Sequence, residues 1–136
     1  MNIYQKLQAV QDEIGVMKKD KTNPFFKSNY FDINTLLTEL KPLLKKHKLL
    51  VMQPLGEKMG KAMLCTIVID SECPDEARDV SRILEGQVIL PENPDPQKMG
   101  SIITYFRRYA LQSMFLLQAE DDDANKAVTK PKGQPF

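Results

Sequence analysis

A chain of 136 residues, 42% hydrophobic and 27% charged, has the size and make-up of one globular domain with a single core. Its 19 basic and 18 acidic side chains nearly cancel, so bulk charge marks it neither as a polyanion binder nor as an acidic tail. No apolar run reaches the ~18 residues of a membrane span, the first residues lack a basic-then-apolar leader, and Cys65 and Cys73 are too few for a disulfide framework or a four-ligand zinc site; the expectation is a cytoplasmic protein with reduced thiols and no membrane contact.

The near-neutral total hides an asymmetry. Residues 1–62 carry 11 lysines against 6 acids, and residues 63–136 carry 8 basic side chains against 12 acids. The acids of the second half gather between Asp70 and Asp79 and between Glu120 and Asp123. A basic front beside acidic patches fits polyanion binding on one side and subunit contacts on the other, and it fits plain solvated surface equally well.

In chain order, Ile3, Leu7, Val10, Ile14 and Met17 recur at steps of four and three, predicting an amphipathic helix over roughly Asn2 to Lys19 that docks on a neighbouring element. Residues 18–30 have no lasting periodicity and contain Asn23-Pro24, the mark of a loop. Lys18, Lys19, Lys21 and Lys27 interleave there with Phe25, Phe26 and Tyr30. Cations among aromatic rings suit an unpaired nucleic-acid strand, with ammonium groups on phosphates and rings under bases. Phe25 and Phe26 are assigned to the core; Lys27 and Tyr30 stand between strand contact and ordinary surface. Asp32 or Asn34 caps a second helix bearing Ile33, Leu36, Leu37, Leu40, Leu43 and Leu44, with a kink expected near Thr38 to Lys41 because Pro42 lacks an N–H. His47, in the basic end of that helix, has no nucleophile or ligand beside it in sequence and is read as a helix-end residue.

Three strands are predicted next, Leu49–Gln53, Ala62–Asp70 and Val80–Ile89, with a turn over residues 54–61 and a loop over 72–79. Short connections make them an antiparallel meander. Pro91, Pro94 and Pro96 lead stiffly into a last helix. Asp95 is its cap and Pro96 its first residue. On that helix Met99, Ile102, Ile103, Phe106, Ala110, Ser113, Met114 and Leu117 form the expected inward stripe, while Ser101, Thr104, Tyr105, Arg108 and Gln112 face out with Arg107 on a flank. The predicted fold is α+β, an antiparallel three-stranded β-meander packed with helices in the order α-α-β-β-β-α. Residues 1–125 form the core and 126–136 a flexible tail or truncated linker; there is no internal repeat.

The run Asp95-Pro96-Gln97-Lys98-Met99-Gly100-Ser101-Ile102-Ile103-Thr104-Tyr105-Phe106-Arg107-Arg108-Tyr109-Ala110-Leu111, followed by an acidic stretch ending at Asn125, resembles the signature of the ERF (essential recombination function) family of phage and prophage single-strand annealing proteins. Lys27-Ser28-Asn29-Tyr30-Phe31-Asp32 and Lys41-Pro42-Leu43-Leu44-Lys45-Lys46-His47 are similar to further family segments, so the resemblance covers most of residues 1–125. It implies a core like that of the annealing recombinases, a homo-oligomer in ring or filament form, and single-stranded DNA held in a basic groove. Transferred to this chain, Lys98, Arg107 and Arg108 line the groove, with Lys27 and Tyr30 nearby; read from the side chains themselves, Tyr105 beside the arginines can stack or hydrogen-bond. The location implied is the cytoplasm of a bacterial host, with a host or phage single-strand-binding protein as a further partner.

From the side chains alone, Arg108 is assigned to phosphate contact, because a guanidinium binds phosphate through paired donors. Arg107 lies about 100° round the helix and is left between DNA and an ion pair with an acid such as Glu120 or with a neighbouring subunit. There is no Gly-rich phosphate loop of the Gly-x-x-x-x-Gly-Lys-Ser/Thr type and no Gly-x-Ser-x-Gly elbow, so neither ATP-driven nor hydrolytic chemistry is expected. No cofactor, metal or catalytic residue is expected either. Joined to the resemblance, this makes the expected function ATP-independent binding and annealing of complementary single strands, and the protein is not expected to be an enzyme. Two rivals stand beside it. One is an interaction module that recruits replication or recombination proteins. The other is a metal-dependent nuclease built on Glu120 to Asp123, although consecutive carboxylates splay apart and a metal pair gathers ligands from separate elements.

Overall fold

Helix α1 spans Ile3–Glu13 and starts on a reciprocal cap: Asn2 accepts from the Gln5 N–H, and the Gln5 side chain accepts from the Asn2 N–H. Asn2→Ala is expected to lower unfolding free energy by about 1 kcal/mol in chemical denaturation, the usual cost of a lost N-cap. The structure is a computed structural model, and its described residues are 1–17, 21–22, 29–30, 32–73 and 82–119, with the backbone alone at 21–22 and 29–30. The helix stops earlier than periodicity predicts. Gly15 takes φ +50, the left-handed conformation with which helices commonly end, and Val16–Met17 continue as a short strand, β1. Ile14 and Met17 stay buried although they lie past the helix, so the apolar spacing is real while the periodic backbone is not.

In the segment expected to be an unstructured loop, β2 (Lys21–Thr22) and β3 (Asn29–Tyr30) pair antiparallel, Lys21 opposite Tyr30. Residues 23–28, with Phe25, Phe26 and Lys27, lie outside the described residues. Helix α2 (Ile33–Lys46) is capped by Asp32, which accepts from the Thr35 N–H at 2.7 Å. It runs on through Pro42 as one element. Pro42 and Thr38 are both exposed, so the carbonyl left without a helical donor faces water.

The sheet is organised on β6 (Lys61–Asp70). Along one edge it pairs with β4 (Leu49–Met52) and then β5 (Leu55–Lys58), and along the other with β7 (Ile83–Ile89), all antiparallel. The register carries unchanged from Met52 opposite Ile67 to Leu55 opposite Leu64, so β4 and β5 are one strand interrupted at Gln53-Pro54. The Cys65 N–H still donates to the Pro54 carbonyl at 3.0 Å, but Pro54 has no N–H to return the bond. The expected turn over residues 54–61 is thus mostly strand, closed by a two-residue loop at Met59-Gly60.

Helix α3 (Pro96–Met114) begins at Asp95, whose carboxylate accepts from the Gln97 N–H, and crosses the sheet. Beyond it β8 (Gln118–Ala119) pairs parallel with β1. Among the described residues the fold is α+β, three helices on an antiparallel sheet, and the element order departs from the expected α-α-β-β-β-α in the two-residue strands β1, β2, β3 and β8 and in the separate β4 and β5. The core gathers Ile3 and Val10 of α1, Leu36, Leu40 and Leu44 of α2, Leu49 and Val68 of the sheet, and Leu111 and Phe115 at the end of α3. Leu111 and Phe115 are nearly inaccessible, whereas Ser113, placed on the inward stripe from sequence, is exposed. The helix is rotated from its apolar stripe because only its C-terminal half meets the core.

Two polar clusters fasten the layers. The buried Lys6 ammonium lies 2.7 Å from Asp70 and 2.8 Å from Glu72, tying α1 to the end of β6. Glu13 takes hydrogen bonds from Lys46 and His47 at 3.0 Å each, tying the end of α1 to that of α2. His47 is therefore a half-buried tie between helices. The Lys46 bond comes first among the causes that hold the Glu13 carboxyl below its usual range.

Candidate nucleic-acid interface

Helix α3 carries a line of side chains along one flank because residues seven and four apart return to the same azimuth. Lys98, Tyr105 and Tyr109 fall on that line, and Arg108 lies beside it. Lys98 is exposed, and the two tyrosine rings are half-exposed with centroids 4.5 Å apart. The Arg108 guanidinium carbon sits 5.6 Å from the Tyr105 centroid and 5.1 Å from that of Tyr109, within the range in which a cation is drawn to a ring face. Phe106 meets Tyr105 edge-on at 5.4 Å. Together they form a cation on an aromatic platform.

The Tyr105 phenol is held above its ordinary pKa, first by its hydrogen bond with Tyr109, then by that neighbour's charge and by burial, against the opposing pull of Arg108. It therefore keeps its proton at neutral pH, and the ring beneath the guanidinium stays neutral. The hydroxyls of Ser101 and Thr104, read as part of the outer face, donate back to the Gln97 and Gly100 carbonyls. Gln112, also placed on that face, is half-buried with an unpartnered Oε1.

Arg107 points elsewhere. It is half-buried and shares its azimuth with the body-facing Leu111 and Met114, and its carbonyl accepts from Gln53 Nε2 at 3.2 Å. Among the described residues no carboxylate pairs with it. Tyr30 has its backbone in β3, while Lys27 and the acidic run Glu120 to Asp123 lie outside the described residues. Of the four described side chains singled out from sequence, Tyr105 and Arg108 are joined, Lys98 extends their line, and Arg107 lies on another azimuth. Tyr109 went unrecognised from sequence, although its place four residues after Tyr105 is the spacing at which helical side chains touch.

Next to this platform, between α3 and the inner face of β6 and β7, opens a cavity of about 420 Å³. Phe106, Tyr109, Ala110 and Met114 line its helix side, and Leu64, Thr66, Gly86 and Val88 its sheet side. Tyr109 belongs to both cavity and platform. The Thr66 hydroxyl accepts from Gln53 at 3.0 Å. On the opposite face of the sheet Leu50, Met52, Ile83 and Ile89 remain between 42% and 50% exposed, an apolar surface that no described helix covers.

Among the described residues no three His, Cys, Asp or Glu side chains converge as metal ligands, and no helix is long and apolar enough to cross a membrane. Cys65 and Cys73 are free thiols; burial, then the carboxylate of Glu85, pushes the Cys65 thiol up. The family model of the ERF superfamily matches residues 3–135. No curated protein and no solved structure matches the chain.

Proposed function

The chain belongs to the ERF superfamily, and from that premise we propose that it binds single-stranded DNA and anneals complementary strands without ATP, in recombination of the phage type. The observation that supports it best is the Arg108 guanidinium lying over two half-exposed tyrosine rings. That arrangement offers a charge to the backbone and a stacking surface to bases, and unpaired strands need both. Lys98 extends the charge toward the helix start, where the amide dipoles already favour an anion. In this reading Tyr105, Tyr109, Arg108 and Lys98 make the first contacts. Lys27 and Tyr30 are proposed as further contacts for the strand, and Arg107, on another azimuth of the helix, as a minor one.

Annealing of this kind draws its free energy from base pairing. The protein neutralises phosphates and aligns the two strands, so binding is sequence-tolerant and falls steeply with salt. One copy makes few phosphate contacts, and several copies on one strand supply the missing affinity. The uncovered apolar sheet face of Leu50, Met52, Ile83 and Ile89 supports self-association in a ring or filament, since soluble monomers seldom leave such patches open.

Two complementary oligonucleotides, one labelled, mixed with the protein in the absence of nucleotide, are expected to anneal faster than they do unaided. The binding constant is expected to drop by several-fold or more between 50 and 200 mM salt. A folded protein that ignores unpaired strands at low salt overturns the proposal. A recruiting module would retain its protein partner after charge reversal at Arg108, and a nuclease would cleave the label when Mg²⁺ is added.

A further inference from the structure

The tip of the β5–β6 hairpin combines three locally unfavourable choices in four consecutive residues. Lys58 stands directly opposite Lys61 across the ladder, where like charges destabilise a strand pair. Met59 adopts φ +53 and Gly60 φ +76. A two-residue hairpin loop with positive φ at both positions favours Asn-Gly or Asp-Gly, and a methionine there is strained. Met59 is also 90% exposed, the most accessible of the large apolar side chains among the described residues. The other positive-φ residues among the described residues that are not glycine, Lys48 and Leu116, follow the C-caps of α2 and α3, where their amides bond to helix carbonyls. Met59 has no helix end to close. Among the described residues neither lysine has an ion-pair partner, and Glu57 faces the other side of the sheet, opposite Ala62.

A ligand with regularly spaced negative charges and exposed apolar plates turns all three into assets, and an unpaired nucleic-acid strand is such a ligand. We propose that Lys58, Met59 and Lys61 form a second contact for the strand, apart from the α3 platform. The two ammonium groups take backbone phosphates, and the methionine side chain lies between neighbouring bases. Methionine is long, flexible and polarisable, and it is among the side chains used as wedges between stacked bases. The hairpin is stiff enough to hold such a wedge in place, because β7 braces β6 as far as Met63 opposite Ile89 and only the last rungs project beyond it. The lysine pair favours a polyanion over an apolar protein pocket, which would have to desolvate both charges. The inference rests on the single-strand binding proposed above.

Met59→Gly removes the side chain at a position where glycine is at ease, so the variant is expected to fold at least as stably as the parent. With an oligonucleotide carrying 2-aminopurine, the unaltered protein is expected to raise fluorescence on binding as the base unstacks, and Met59→Gly to lose most of that rise. The double variant Lys58→Gln/Lys61→Gln is expected to lower the slope of log K against log salt by about 1.4, two contacts at roughly 0.7 each on a single strand. Variants that keep both the fluorescence rise and the slope overturn the inference while leaving the α3 reading intact. Variants that instead change the size of the DNA-free protein overturn it in favour of a protein pocket as the occupant. Unaltered protein that binds no strand overturns both readings.

Discussion

Charge reversal at Arg108 is expected to weaken single-strand binding by at least about tenfold at 0.1 M salt, with no change in unfolding midpoint beyond a few degrees. The guanidinium lies against Tyr105 and Tyr109, so Arg108→Glu replaces an attraction for phosphate with a repulsion at the centre of the platform. The ~10 Å Debye length at that salt leaves such short-range contacts effective. If several copies share a strand, the loss recurs in each of them. Arg108→Gln, which removes charge without reversing it, should fall between. Replacing Tyr105 and Tyr109 together by alanine should also cost affinity, about 1–3 kcal/mol for each base stacked, with a weaker dependence on salt because stacking releases no counterions. Arg107→Gln is the contrast, since Arg107 shares the azimuth of the body-facing Leu111 and Met114 and has no ring beneath it among the described residues, and a smaller loss is expected. The measurements are fluorescence anisotropy with a labelled oligonucleotide at several salt concentrations and a thermal melt of each variant. A folded Arg108→Glu protein with parental affinity would remove the platform from the binding site.

Lys6→Met is expected to cost about 3–5 kcal/mol, the usual loss when one partner of a buried ion pair is removed. Against a total stability of about 5–15 kcal/mol for a domain, that is a large share. The side chains of Lys6 and Asp70 are only 6% and 9% exposed. Burial is the largest single influence on each. It pulls the lysine down and pushes the carboxyl up, but it is outweighed. Hydrogen bonds from Lys6 to Asp70 and Glu72, with the attraction of their charges, leave Lys6 above its ordinary value. The Lys6 bond and the Glu72 amide leave Asp70 below its ordinary value. The carboxyl thus contributes stability that is complete above the usual carboxylate range and lost as pH falls through its lowered folded value. The ammonium contributes stability that is complete below the usual lysine value and lost as pH rises through its raised folded value. In Lys6→Met, Asp70 is left buried without its cation and takes up a proton more readily. The deficit should be greatest near neutral pH and shrink in acid, as read by denaturant titration at pH 7 and pH 4. Lys6→Met with Asp70→Leu should recover part of the loss, because no unpaired charge then remains. A deficit under 1 kcal/mol at pH 7 would show that water reaches the pair.

Much of the architecture was legible in order along the chain. Apolar residues at steps of three and four placed Ile3, Val10, Ile14 and Met17, and again Ile33, Leu36, Leu40 and Leu44, on inward stripes, and each of these is buried. Asp95 was readable as a cap, and Asp32 as one of two candidates beside Asn34, since an acid ahead of an apolar-periodic run has the free amides of the first turn within reach. The β-branched run of β6 was readable as a strand. These features are local: a few neighbouring side chains and the backbone between them decide the outcome.

What escaped the sequence depends on partners far along the chain. Lys6 reads as a polar position on a helix and proves to be buried, because its counter-ion sits 64 residues on, at the end of β6. Leu111 and Phe115 outrank the half-buried Ile102 and Ile103 because α2 and the sheet cover only one end of α3. The continuity of β4 and β5 across Pro54 is visible only in the register both keep with β6. Arg107 and Arg108 are adjacent in sequence and were distinguishable as lying on different sides of a helix, but which one faces the body is set by how α3 is rotated on its sheet. The sequence by itself determined the family, the helices and their caps, because periodicity and capping act within a few residues. The tertiary structure alone decided how α3 is rotated on its sheet and which charge is buried, because those outcomes depend on the packing of elements that meet only in space.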